Sequence, residues 1–123
     1  MKSIDFARQF IANKGFAIKD ENEDCLMFDY QMNPVQLWWD TDEDDYLMIT
    51  MPVYSGIDDD QQESAKQLCT KLNTQIRQVK LYVVCSVIVA GVEIYFMGEE
   101  DFNFQMEKAL ENLISAKVKF KYL

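Results

Sequence analysis

The chain has 123 residues, 49% of them apolar, and carries 21 acids against 12 bases for a net charge of −9. That length suits one domain over residues 1–123, and the apolar share excludes an intrinsically disordered chain. The acidic balance sets aside nucleic acid and anionic membrane as partners, since both would repel the chain on average.

Ser3 to Asn13 places Ile4, Phe6, Ala7, Phe10 and Ile11 along one side of a helix. Ser3 is the expected N-cap and Lys14-Gly15 the expected end. Phe16–Lys19 reads as a short extended entry, and Asp20–Asp24 as an acidic loop. Cys25–Met32 then alternates as a strand, with Leu26, Phe28, Tyr30 and Met32 on one face and Cys25 and Met27 beginning the other. Asn33-Pro34 signals a turn, with Pro34 at a strand start or edge because it lacks a ladder donor. Val35–Trp39 and Tyr46–Val53 follow as the second and third strands. Val35, Leu37 and Trp39 share one phase, as do Leu47, Ile49, Met51 and Val53. The short connections favour an antiparallel meander.

Asp58, Asp59 and Asp60 each have a Gln or Glu three residues on, the pattern of a capping box. Ala65, Leu68, Cys69, Leu72, Ile76 and Val79 continue in steps of three and four, which predicts a helix of about four or five turns reaching Gln78. Lys80–Met97 is rich in Val, Ile, Tyr and Phe and predicts two strands. Their reversal falls near Cys85–Val87 or, alternatively, near Ala90-Gly91. Gly98 closes that run. Glu99, Glu100 and Asp101 precede a last helix from Phe102 to about Lys119, with Met106, Leu110, Leu113, Ile114 and Lys117 on one side. The fold class is therefore α+β: an antiparallel five-stranded sheet packed with helices, in the order α-β-β-β-α-β-β-α.

Chemistry is hard to place on this chain. Residues 38–46, WWDTDEDDY, put Asp40, Asp42 and Asp44 at the first three oxygen positions of a calcium loop. The sixth position needs Gly and holds Asp45; the twelfth needs Glu and holds Met51. Asp20, Asn22 and Asp24 fail in the same way. Both runs read as solvated connections. The chain has no histidine, the commonest neutral-pH base and zinc nitrogen ligand. Phosphate-binding glycine loops and a nucleophile elbow are also missing from the sequence. The expectation is a protein without enzymatic activity, cofactor or metal. Cys25, Cys69 and Cys85 are odd in number and scattered, which suits buried free thiols and a cytoplasmic home. Met1–Lys14 lacks the apolar core of a secretory leader, and the run Leu81–Gly91 is too short to span a bilayer.

Strand phase supplies the remaining candidate. If Trp39 faces the core with Val35 and Leu37, Trp38 points outward. Met27, Tyr46 and Met48 share that outward phase, and the four make a candidate partner-binding patch. The alternative is that a helix of the same chain covers them.

The element order resembles that of the YbjN family of bacterial proteins. The pieces that carry the resemblance are the helix segment Ser64–Asn73 (SAKQLCTKLN), the strand Lys80–Val84 (KLYVV) and the closing Phe104, Leu110 and Leu113. The chain departs from the family after Val83, keeping Cys85-Ser86-Val87-Ile88-Val89 where a more polar turn is usual. The resemblance implies a fold similar to the type III secretion chaperones. It also implies a homodimer that binds an unidentified protein partner in a regulatory or chaperone-like role. A small-molecule sensory domain is the other reading, and a cavity lined by Tyr30, Trp39 and Phe96 would mark it.

Overall fold

A computed structural model describes the fold over residues 1–121. Helix α1 (Ser3–Lys14) leads into four strands: β1 (Ile18–Glu21), β2 (Cys25–Tyr30), β3 (Asn33–Asp40) and β4 (Glu43–Ser55). A 3-10 turn at Asp59–Gln61 opens α2 (Gln62–Asn73), followed by β5 (Lys80–Val84), β6 (Val87–Tyr95) and α3 (Gly98–Lys121). All neighbouring strands are antiparallel, in the order β1-β2-β3-β4-β6-β5.

The sheet has six strands where the sequence suggested five. The extra one is β1, whose residues Ile18, Lys19, Asp20 and Glu21 are all exposed. It has no apolar alternation to read, and backbone pairing to β2 alone defines it. Its charges suit an edge. Lys19 reaches Asp29 of β2 at 3.3 Å, and the Arg8 guanidinium of α1 bonds Glu21.

Other boundaries move for local reasons. Ser3 is the first helical residue and is 1% exposed, so it is not the cap. Asp5 does that work, its carboxylate accepting the Lys2 backbone N–H at 2.9 Å. Gly15 ends α1 with φ +75°, as expected. The β2–β3 reversal is Gln31-Met32, two residues before the Asn33-Pro34 signal. Both turn residues have positive φ, the geometry of a tight twisted hairpin, though neither is glycine. Asn33 holds the turn by donating its side-chain N–H to the carbonyls of Tyr30 and Gln31. Pro34 sits near the start of β3 as the sequence implied. The acidic run contracts to a turn at Thr41-Asp42, with Glu43, Asp44 and Asp45 drawn into β4.

Helix α2 stops at Asn73, six residues short of Val79, because Asn73 does something a helix interior cannot. Its amide donates to the Leu81 carbonyl at 3.0 Å and accepts the Leu81 N–H at 2.7 Å. Leu81 lies on β5, the sheet edge, so this clasp occupies backbone groups that would otherwise be open for strand addition. The β5–β6 turn is Cys85-Ser86, the earlier of the two sites considered. Two bonds from the α2 side fasten it: Gln62 Nε2 to the Cys85 carbonyl at 2.7 Å, and Ile57 N–H to the Ser86 carbonyl at 3.0 Å. Helix α3 starts at Gly98, taking Glu99, Glu100 and Asp101 into its first turn, where acids meet the positive helix end. Asp101 also accepts the Met97 N–H at 2.8 Å.

The three helices pack on one face of the sheet. Leu26, Phe28, Val35, Leu37, Leu47, Ile49 and Met51 are fully buried there. Against them lie Phe10 and Ile11 of α1, Cys69 and Leu72 of α2, and Phe102, Met106, Leu110 and Leu113 of α3. Phe96 stands edge-on to Phe6 and Phe102, with ring centroids 5.3 and 4.8 Å away. Each such buried side chain stabilises the fold by about 1.5–3 kcal/mol relative to exposure.

Replacing Asn73 with Ala removes both clasp bonds and leaves the Leu81 amide pair without its partner. The expected cost is about 1–2 kcal/mol, read as a lower urea midpoint with unchanged slope. An unaltered midpoint would show the clasp to be energetically idle.

Candidate functional site

A strand exposes alternate side chains to opposite sides, so filling one face with helices leaves a second face to account for. Cross-strand register orders that second face into rows. Tyr46 pairs with Tyr95 at one end of the strands. The next row runs Cys25, Trp38, Met48 and Glu93, and the one after it Met27, Gln36, Thr50, Gly91 and Lys80. Further along, Asp29 pairs with Pro34, and Val89 lies between Pro52 and Tyr82. Val84 and Val87 close the far end.

All four residues singled out by strand phase lie on this face. Met27, Trp38, Tyr46 and Met48 are each half-buried, and Trp38 sits directly across from Met48. Trp39 turns to the helix side and packs against the core. The four do not converge on one hollow. Met27 lines a hollow of about 440 Å³, with Pro34, Gln36, Thr50, Pro52, Val84, Cys85, Val87 and Val89. Met48 lines a second of about 310 Å³, with Lys80, Tyr82, Gly91 and Glu93. Strand and turn residues alone form both hollows, and no helix residue enters either.

The larger hollow crosses from β2 to β5, so the face is concave there. Its shape follows from the backbone. Bulges between Trp38 and Asp40 and between Pro52 and Tyr54 bend β3 and β4. The second bulge also returns Tyr54 to the helix side, where its ring lies 5.9 Å from Phe120. Gly91 serves the smaller hollow: a Cβ at that position would stand 3.1 Å from the Tyr82 ring, which occupies the space instead.

Polar groups on the face are satisfied within it. The Trp38 indole N–H donates to Thr50 Oγ1 at 3.1 Å, and the Thr50 hydroxyl in turn lies 3.5 Å from Gln36 Oε1. Tyr46 donates its hydroxyl to Glu93 at 2.6 Å, and its ring lies 5.1 Å from that of Tyr95. Partial burial, then the bond to Glu93, then nearby negative charge push the Tyr46 phenol well above its ordinary range. Burial and Glu93 push the Tyr82 phenol up as well. Of the strand positions pointing this way, Asp20, Asp29, Glu93 and Lys80 are charged; Asp29 and Glu93 have partners in Lys19 and Tyr46, Asp20 lies across from Met27, and Glu43 and Asp45 stand near the Tyr46–Tyr95 end.

The residues that sequence reasoning missed here are mainly those of β5 and β6. Val87, Val89 and Gly91 belong to the run VIVAG, which is apolar on both phases and hides which side is which. The thiol expectation also needs one correction. Cys25 and Cys69 are buried and free, but Cys85 is exposed, because the hairpin turn falls on it with φ +54°. Burial pushes both buried thiols up, Cys25 further through Asp20 and Asp24. Among the described residues, no group of three His, Cys, Asp or Glu side chains could hold a metal. None of the described helices is long and apolar enough to cross a membrane. The three residues whose shared cavity would mark a sensory domain, Tyr30, Trp39 and Phe96, take separate places among the described residues. Tyr30 lines a shallow hollow of about 270 Å³ beside Phe10 and Leu110, while Phe96 is locked into the aromatic core.

An antiparallel sheet with three helices on one face is an α+β fold seen in solved structures. The chain is similar to YbjN from E. coli, described as a candidate transcription regulator, with a TM-score of 0.73 and 12% sequence identity over 97% of this chain and 91% of that one. It is also similar to an uncharacterized protein from Methanothermobacter thermautotrophicus, with a TM-score of 0.62 and 12% identity over 98% of this chain and 94% of that one. No family sequence model matches the chain, and no curated protein matches it by sequence. The fold is YbjN-like.

The raised Tyr46 pKa has a definite sign in stability. A phenol that keeps its proton longer in the folded chain contributes fully below its unfolded value, about 10, and loses that contribution as pH climbs past it. Urea midpoints between neutral and strongly alkaline pH should therefore fall more steeply for the native chain than for Tyr46→Phe. Equal slopes would show that the Tyr46–Glu93 bond does not perturb the phenol.

Proposed function

We propose that the chain is a non-enzymatic protein-interaction module with a regulatory role, and that the open sheet face is its docking surface. The observation that carries this reading is the contrast in charge. A chain of net charge −9 carries few charges over the middle of one broad face, with Asp20, Asp29, Glu93 and Lys80 towards its margins, and lines the hollow there with Met, Val and Pro. Interface centres have this composition: depleted in charge, enriched in aromatics and Met. Most acids sit instead on the edge strand β1, the start of β4, the turns and the helix starts, where they maintain solubility.

The description of YbjN as a candidate transcription regulator supports a regulatory role. The acidity of this chain directs that role through protein contacts rather than DNA. The raised thiols of Cys25 and Cys69 are the reverse of an activated nucleophile, which supports a binding role over catalysis. Free cysteines suit a reducing compartment, and the cytoplasm is the proposed location. One observation favours a second reading, a small-molecule sensor: the hollow of about 440 Å³ is large enough for a metabolite. It lies on the outer face, however, and its walls are strands that a protein partner would also cover.

The test compares three tagged chains through gentle purification: native, Trp38→Lys on the open face, and Val118→Ser on the exposed surface of α3. Native and Val118→Ser should retain the same bound protein, and Trp38→Lys should lose it while unfolding cooperatively. Equal retention by all three would contradict the reading. A metabolite that raises the melting temperature of the native chain but not of Val89→Lys would favour the sensor instead.

A further inference from the structure

We infer that the hollow between the α2–β5 loop and α3 binds a small phosphomonoester, with Arg77 and Lys119 taking its phosphoryl group. The site lies apart from the open sheet face and does not depend on docking there.

Charge is spread unevenly along this acidic chain. Residues 64–92 hold no Asp or Glu, and neither do residues 112–123. Those two stretches carry seven of the twelve bases. They meet where the loop after α2 packs beside the last turns of α3. Gln75, Ile76 and Arg77 form one wall of a hollow of about 330 Å³ there, and Asn112, Ser115 and Lys119 form the other. The three α3 positions are spaced by three and four, so they share one side of the helix. Half-buried Ile76 and fully buried Ala116 give the hollow an apolar part. Its volume falls within the range of small-molecule sites.

No acid lines the hollow, and neither Arg77 nor Lys119 forms a salt bridge among the described residues. The acids of the neighbouring elements are engaged elsewhere. Glu111 turns to a hollow on another flank of α3 and pairs with Lys108 at 3.7 Å. Glu107 pairs with Lys14, and Glu93 accepts the Tyr46 hydroxyl on the sheet face. Glu63, the one acid of α2, sits in that helix's first turn, at the opposite end. Two cations lining one small hollow repel each other unless an anion joins them.

The walls are fixed by bonds that leave donors free. Lys119 Nζ donates to the Gln75 carbonyl at 2.9 Å, which uses one of its three N–H groups. Asn112 Nδ2 donates to Gln78 Oε1 at 2.8 Å, tying α3 to the loop where Gln78 adopts φ +65°. The N–H groups of Ile76, Arg77 and Gln78 have no backbone acceptor among the described residues, so the loop has donors to spare.

Chemistry then selects the ligand. A phosphomonoester carries close to two negative charges at neutral pH and matches two cations, where a carboxylate carries one. Arginine engages two phosphoryl oxygens as a fork, and lysine acts as a point charge. The Ser115 hydroxyl suits a third oxygen. Ile76 and Ala116 offer apolar contact to an organic group, which inorganic phosphate lacks.

Titration of the full chain with phenyl phosphate, followed by amide NMR shifts, tests this. Inorganic phosphate, benzoate and a uridine oligonucleotide are the comparisons. Phenyl phosphate should shift the amides of Ile76, Arg77, Gln78 and Ser115 and bind about tenfold tighter than benzoate or more. Inorganic phosphate should shift the same amides and bind more weakly. Arg77→Gln and Ser115→Asp should each weaken phenyl phosphate about tenfold or more. Lys66→Gln, at a base of the same acid-free stretch outside the hollow, should not. All three positions are exposed, so urea midpoints should stay near that of the native chain. No shift of the named amides, equal weakening by Lys66→Gln, or benzoate as tight as phenyl phosphate would overturn the proposal. Inorganic phosphate bound more tightly than phenyl phosphate would overturn it too, as would tighter binding of the oligonucleotide, which would make the hollow part of a nucleic-acid surface. Failure here leaves the role of the open face untouched, since the two surfaces share no lining residue.

Discussion

Everything distinctive about this molecule follows from packing three helices on a single side of a sheet that has two. The helix side is settled by apolar burial. Phe28, Leu37, Ile49 and Met51 meet Phe102, Met106 and Leu113, and no water reaches them. The other side receives no helix, yet its strands do not turn polar as a solvated face would. Met27, Trp38, Met48, Pro52, Val87 and Val89 occupy half-buried positions where a solvated face would carry Lys, Glu, Thr or Ser. Among the described residues no helix covers their hollow, which is the ground for the proposed docking surface.

The same face shows how backbone detail creates a surface. A flat sheet would present Met27 and Val84 as separate points, about four strand spacings apart. The bulges in β3 and β4 bend the strands between them, and a hollow forms across β2 to β5. Trp38, Thr50 and Gln36 form a hydrogen-bonded row along one wall, fixing side chains that would otherwise move freely. Docking onto a prearranged surface loses less side-chain entropy than docking onto a mobile one.

Much of the fold was legible because periodicity and burial agree. Leu26 and Phe28, Val35 and Leu37, and Leu47, Ile49 and Met51 alternate cleanly, and each lies in the core. Trp38 and Trp39 were separable for the same reason. Strand β1 was not legible, since IKDE has no apolar phase and its pairing is purely backbone. The early end of α2 was hidden because Ile76 and Val79 keep the helical spacing beyond Asn73, the last helical residue, whose side chain clasps Leu81. The contribution of β5 and β6 to the open face was hidden by a run that is apolar on both phases. The exposure of Cys85 depended on which residue took the turn, and VVCSV offers no Gly or Asn to mark it.

The central claim is that the chain leaves this face uncovered by its own residues. Methionine oxidation by dilute peroxide, followed by peptide mass spectrometry on the native chain at a dilution where light scattering gives a single copy, addresses it most directly. Met32 and Met97, 96% and 89% exposed, set the fast limit, and the fully buried Met51 and Met106 set the slow one. The account predicts that Met27 and Met48 oxidise at rates between these limits and well above Met51. Rates for Met27 and Met48 as slow as those of Met51 and Met106, in a chain shown to be monomeric and folded, would contradict it.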